Sequence, residues 1–97
     1  MEVLKYDYPA EKPFTNRVHV GVVGSGDLEV LIEPSSDMAA HVVVTTSVNG
    51  YGLIWKSVID RFFTRFKGAA AIEINDFGAT PGMVALRLAQ AVEGSEA

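Results

Sequence analysis

The chain has 97 residues, enough for one compact domain over 1–97 and too few for a second. A hydrophobic share of 48% with 21% charged residues supports a packed soluble core and excludes general disorder. The net charge of −4 argues against nucleic acid as a partner, although an acidic domain can still be steered to a basic patch on another protein. With no cysteine there is no disulfide, thiolate metal site or cysteine nucleophile, and any thioester chemistry needs a thiol from outside the polypeptide. No apolar run is long enough to cross a bilayer, and Met1–Pro13 lacks a basic stretch followed by an apolar one. A cytoplasmic location without membrane contact is therefore expected.

Residues 1–16 read as an N-terminal arm. Leu4, Tyr6 and Tyr8 alternate as in a short strand, and Pro9 and Pro13 then interrupt any regular ladder. Residues 17–23 place Val18, Val20 and Val22 on one face, and residues 28–33 repeat the pattern with Leu28, Val30 and Ile32. The Gly24-Ser25-Gly26-Asp27 stretch between them predicts a tight hairpin turn. A third strand is expected over 41–47, followed by the Asn49–Gly52 loop.

The period changes over 53–66. Apolar residues at Ile54, Trp55, Val58, Ile59, Phe62, Phe63 and Phe66 make an amphipathic helical stripe, with Lys67 as a cationic last turn and Gly68 as a C-cap. The helical spacing of Trp55, Phe62, Phe63 and Phe66 places them in the core before any ligand-stacking face, and the width of the stripe leaves open that Trp55 or Phe63 faces a partner. Residues 69–75 alternate as another strand. Thr80-Pro81 predicts an N-cap and first helical position, so 81–92 read as a helix with Val84, Leu88 and Val92 inward, a strand being the rival reading. Residues 93–97 read as a frayed tail. The order β-β-β-α-β-α predicts an α+β fold: one two-layer domain, an antiparallel-rich sheet with two helices packed on one face.

Among candidate sites, Ser25 stands out. A serine at a hairpin tip between Gly24 and Gly26 exposes its hydroxyl and leaves room for a large group, which suits a serine modified by another enzyme. The plain alternative is a structural turn. A serine nucleophile needs a base within reach, and His19 and His41 both lie inside predicted strands. No lysine or helix follows to make a phosphate loop. Asp27 could orient the serine hydroxyl or cap the turn. The two histidines could share a metal, but ordinary strand histidines are the simpler reading. In Asp76–Pro81, a capped helix start explains Gly78, Thr80 and Pro81 but leaves Asp76 and Phe77 unexplained.

The blocks Val22–Leu31 (VVGSGDLEVL), Gly52–Trp55, Arg61–Phe63 and Glu73–Gly82 (EINDFGATPG) together resemble the acyl-carrier (delta) subunit of malonate decarboxylase, over roughly Arg17 to Gln90. A more distant likeness is to the citrate lyase acyl carrier. The resemblance implies that Ser25 carries 2'-(5''-phosphoribosyl)-3'-dephospho-CoA through a phosphodiester, with Gly24, Gly26 and Asp27 around it and no metal. It implies a non-catalytic carrier that presents acetyl and malonyl thioesters while other subunits decarboxylate malonate to acetate and CO2. The implied partners are the acyl transferase and decarboxylase subunits, the prosthetic-group transferase and malonyl transferase. A citrate-lyase-type carrier and an unmodified binding or assembly domain are the alternatives. Phosphopantetheine carriers, by contrast, are helical bundles with the serine at a helix start.

Overall fold

A computed structural model describes residues 1–21 and 26–96, with side chains through Glu93. Val22, Val23, Gly24, Ser25 and Ala97 lie outside the described residues, and with them the end of the expected 17–23 strand and the serine itself.

The elements are β1 (Glu2–Pro9), β2 (Lys12–Pro13), β3 (Val18–Gly21), β4 (Leu28–Pro34), β5 (Ala39–Thr46), α1 (Gly52–Phe63), β6 (Gly68–Asp76) and α2 (Pro81–Glu96). The sheet runs β1-β5-β6-β4-β3, with β2 paired to β6 off that path. Among the described residues β1–β5, β3–β4 and β4–β6 pair antiparallel, whereas β5–β6 and the two-residue β2–β6 pair parallel. The parallel centre follows from the chain order. A 12-residue helix between β5 and β6 is a crossover connection, which returns the second strand in the same direction.

Alternation gives the sheet two unlike faces. Leu28, Val30, Ile32, Val42, Val44, Ile72 and Ile74 point to one face and are buried under the helices. Each such side chain contributes about 1.5–3 kcal/mol by leaving water. From α1 come Trp55, Ile59 and Phe63, and from α2 Val84, Leu88 and Ala91. The helix reading of 81–92 therefore holds over its strand rival, and Thr80 Oγ1 accepts the Met83 N–H as an N-cap, 3.2 Å. Helical backbone continues through Glu96, across the positions expected to fray. The other face carries Lys5, Asp7, His19, Glu29, Leu31, His41, Val43 and Glu73, with no element laid over it among the described residues.

Two local expectations are corrected. The order gains an eight-residue edge strand, β1, whose Leu4, Tyr6 and Tyr8 pack on the core from opposite Val44, Val42 and Ala40. Helix α1 ends at Phe63, not Phe66, and Gly68 opens β6 rather than capping the helix. A Cβ at Gly68 would lie 2.8 Å from the Phe66 ring, so glycine is there for space. Lys67 does serve the helix end, its Nζ donating to the Phe63 carbonyl at 3.1 Å. Trp55 and Phe63, both 6% exposed, lie in the core, the first reading of their helical spacing; Leu53, at 85%, and Ile54 are the exposed apolar residues of α1.

Candidate functional site

β3 and β4 form the expected hairpin, with Val18 opposite Ile32 and Gly21 opposite Glu29. Gly21 adopts φ +96°, and a Cβ there would fall 2.1 Å from the Leu28 carbonyl oxygen. Only glycine permits strands to close this tightly at the neck. The chain re-enters the described structure at Gly26, also left-handed at φ +79°, where a Cβ would meet nothing within 4 Å. Among the described residues, nothing occupies the place where Gly26 lacks a side chain.

The root of this segment is tied to two other elements. The Gly26 N–H donates to the Phe77 carbonyl at 2.8 Å, and the Phe77 N–H donates to the Asp27 carbonyl at 2.9 Å. These bonds carry the β4–β6 ladder one step past Asp76. Phe77, unexplained by helix capping, is thereby assigned: its backbone holds Gly26 and Asp27.

Asp27 makes the second tie. Its Oδ1 accepts the Leu28 N–H at 2.7 Å and the Arg87 Nε–H at 3.2 Å, and its Oδ2 accepts from Arg87 Nη2 at 2.9 Å. The pair is bidentate and only 16% and 23% exposed. Arg87 Nη1 also donates to Gln90 Oε1, 2.9 Å, which fixes the guanidinium on α2. The Arg87 guanidinium, then the Leu28 N–H, hold the Asp27 carboxyl below the usual carboxylate range. Both Asp27 carboxylate oxygens are therefore engaged by Arg87 at the start of β4, with the Leu28 N–H also on Oδ1. Sequence reasoning missed Arg87, because its partner lies 60 positions away.

Asp76 completes this end of the sheet. It is 4% exposed, and its Oδ2 accepts from the Thr46 hydroxyl at 2.7 Å while Oδ1 accepts the Ala79 N–H at 2.9 Å. It locks the β6–α2 turn to the end of β5, and that turn in turn holds Gly26.

The histidines stand elsewhere. His19 Nε2 lies 3.0 Å from Glu29, and His41 lies between Asp7 (2.7 Å) and Asp37 (3.0 Å). Strands β3 and β5 are separated by β4 and β6, about 14 Å at the usual strand spacing, too far for one ion. Among the described residues no cluster of three or more histidine, aspartate or glutamate side chains forms a metal site. No helix is long and apolar enough to cross a membrane among them.

Residues 15–95 match the family described as malonate decarboxylase delta subunit (MdcD). The chain is 52% identical over 94 residues to the malonate decarboxylase acyl carrier protein of Pseudomonas savastanoi pv. phaseolicola, covering 96% of this chain and 95% of that one. It is 48% identical to the protein of the same name from Azotobacter vinelandii, with the same coverage. In three dimensions it matches a chain of the crystal structure of a Pseudomonas malonate decarboxylase hetero-tetramer in complex with malonate. The TM-score is 0.91 at 47% identity, over 97% of this chain and 98% of that one.

Proposed function

The chain belongs to the malonate decarboxylase delta-subunit family, and from that premise we propose that it is the acyl carrier subunit of a malonate decarboxylase, with its prosthetic group attached to Ser25. The observation that carries the reading is the root beside Ser25: a glycine with open space at its Cβ position, followed at once by an aspartate fixed to Arg87. Residues so arranged fit a bulky group on the neighbouring hydroxyl. The group is 2'-(5''-phosphoribosyl)-3'-dephospho-CoA, which supplies the thiol that a chain without cysteine lacks and on which acyl groups ride as thioesters.

The chain's own part is mechanical. Ser25 provides the hydroxyl oxygen of a phosphodiester. Gly24 and Gly26 give the loading transferase room to close around it. Asp27 and Phe77 keep the root from rotating, so that the arm swings from a fixed point on a stable sheet. Tethering raises the local concentration of acyl group at each partner active site, and affinity for free substrate becomes unnecessary. The chain itself is non-catalytic: His19 and His41, the only imidazoles in the sequence, are engaged by carboxylates on the uncovered sheet face. The partners are the acyl transferase and decarboxylase subunits, together with the two transferases that load the group and prime it with malonyl. The setting is cytoplasmic.

Intact-mass measurement of the protein from cells that possess the loading enzymes tests this. The expected result is the added mass of the nucleotide group, lost in Ser25→Ala, whose complex fails to decarboxylate malonate. An unmodified native mass overturns the reading.

A further inference from the structure

Between α1 and α2 runs an open cleft of about 1200 Å³. Its floor is apolar, built from Ile54, Val58, Phe62, Ala85 and Ala89. Small residues on α2 keep it open, where larger ones would fill it. At its mouth Leu53 stands 85% exposed on the first turn of α1. An apolar surface of this kind on a soluble domain marks a contact site.

The rim is charged in one sense. Lys12, Arg61, Arg65 and Lys67 line the cleft, four of the eight lysines and arginines in the chain, against Glu93 as the one acid lining it among the described residues. Lys12, Arg61 and Arg65 make no ion pair among the described residues. The carboxylates Asp7, Asp37, Glu29 and Glu73 gather instead on or beside the uncovered sheet face. A chain of net charge −4 thus presents a cationic helix face and an acidic sheet face. Fields of this kind orient an approaching protein and set which side it meets.

One end of the cleft lies toward the end of the sheet that holds the carrier root, where α1 and α2 both start. It begins at Leu53 and Pro81, and Pro81 lies four residues beyond Phe77, whose carbonyl holds Gly26. From there it follows α1, 12 residues or about 18 Å long.

We propose that this cleft docks a helical segment of a partner subunit, with apolar anchors along one face and carboxylates flanking them. This is helix-in-groove recognition, the anchors entering over Ile54 and Phe62 and the carboxylates meeting Arg61, Arg65 and Lys12. It rests on the carrier reading for the partner's identity, the other subunits of the same decarboxylase.

The test uses the full chain and the remaining subunits of its decarboxylase, purified together without it. Binding is measured by surface plasmon resonance at low and high salt. The wild-type chain binds more weakly as salt rises. Arg61→Glu/Arg65→Glu raises Kd at least tenfold and flattens the salt dependence; Ile54→Asp does the same to Kd at all salt concentrations. Lys5→Glu/Arg17→Glu, away from the cleft, leaves Kd unchanged. All the substituted positions are exposed, and thermal melts verify that each variant is folded. Wild-type affinity in the cleft variants overturns the inference, as does loss of affinity in the Lys5/Arg17 variant alone. So does binding by the bare chain that vanishes once Ser25 is modified, since the cleft then belongs to the chain's own arm. Intact mass reports the carrier reading separately: a modified Ser25 in a chain whose cleft variants dock normally leaves that reading standing.

Discussion

The two ends of the sheet are built from different forces. At one end, where β5 and β6 begin, aromatic rings close the core: Tyr8 stacks on Phe63 at 4.1 Å, Phe62 on Phe66 at 5.1 Å, and Phe14 meets Phe66 edge-on. At the other, where β5 and β6 finish, Thr46, Asp76, Phe77, Asp27 and Arg87 are joined by directional hydrogen bonds. Apolar burial is large and tolerant of small shifts. Hydrogen bonds add less free energy but fix atoms in place. The fold therefore draws cohesion from the end remote from Gly26 and Asp27 and position from the end that holds them.

The largest break should come at the aromatic end. Phe63→Ala removes a buried ring from three ring contacts and is expected to cost about 3–5 kcal/mol in denaturant unfolding, while the surviving folded fraction accepts the prosthetic group at the normal rate. Asp76→Ala comes next. It strips the Thr46 hydroxyl and the Ala79 N–H of their acceptor, for about 1–3 kcal/mol, and also slows loading, because the turn that holds Gly26 loosens. At the root itself the order of effects inverts. Gly26→Val forces a branched side chain into a left-handed conformation, about 1–2 kcal/mol, yet slows modification of Ser25 at least tenfold in a transferase assay. Arg87→Gln should likewise slow modification with only a small change in Tm. Acid mimics it: since Arg87 depresses the folded pKa of Asp27, the stability that the pair adds is present above the ordinary carboxylate pKa and is lost as pH falls through the depressed one. Equal losses of fold and loading in these two variants would collapse the distinction between the ends.

The smallest effect lies on the uncovered face. Hydrogen bonds donated by His41 to Asp7, then to Asp37, raise its pKa, so the tie between β1 and β5 is intact below the ordinary histidine pKa and fades as pH climbs through the raised value. The wild-type Tm should therefore drop slightly relative to His41→Gln between mildly acid and mildly alkaline buffer. The group is exposed, which keeps the difference small.

How much of this was legible depends on the range of each cause. The period-two runs of β3 to β6 and the helical stripe of α1 are local signals, and each element forms on its pattern, α1 stopping one turn short of Phe66. Thr80-Pro81 marked the α2 start for the same reason. β1 was half legible: its alternation is in the sequence, but its length is set by pairing with β5 some 40 residues on. Gly68 was misread because the motif of a cation then glycine suits a helix end, and only the Phe66 ring discloses its real constraint. Arg87 and Phe77 had no local signature at all, since one acts through a carboxylate on a distant strand and the other through its backbone. Of the Gly24-Ser25-Gly26-Asp27 block the structure describes Gly26 and Asp27, and there it supplies a reason for each: a left-handed φ of +79° for the glycine, and the bonds to Leu28 and Arg87 for the aspartate.

Gly21 has a consequence for reading relatives of this chain. With the Leu28 oxygen 2.1 Å from where a Cβ would sit, that position is closed to the other nineteen amino acids whatever chemistry the loop performs. An unvarying glycine there in an alignment would record crowding between two backbones, and a survey that ranks residues by invariance would mistake a spacer for a reactive group.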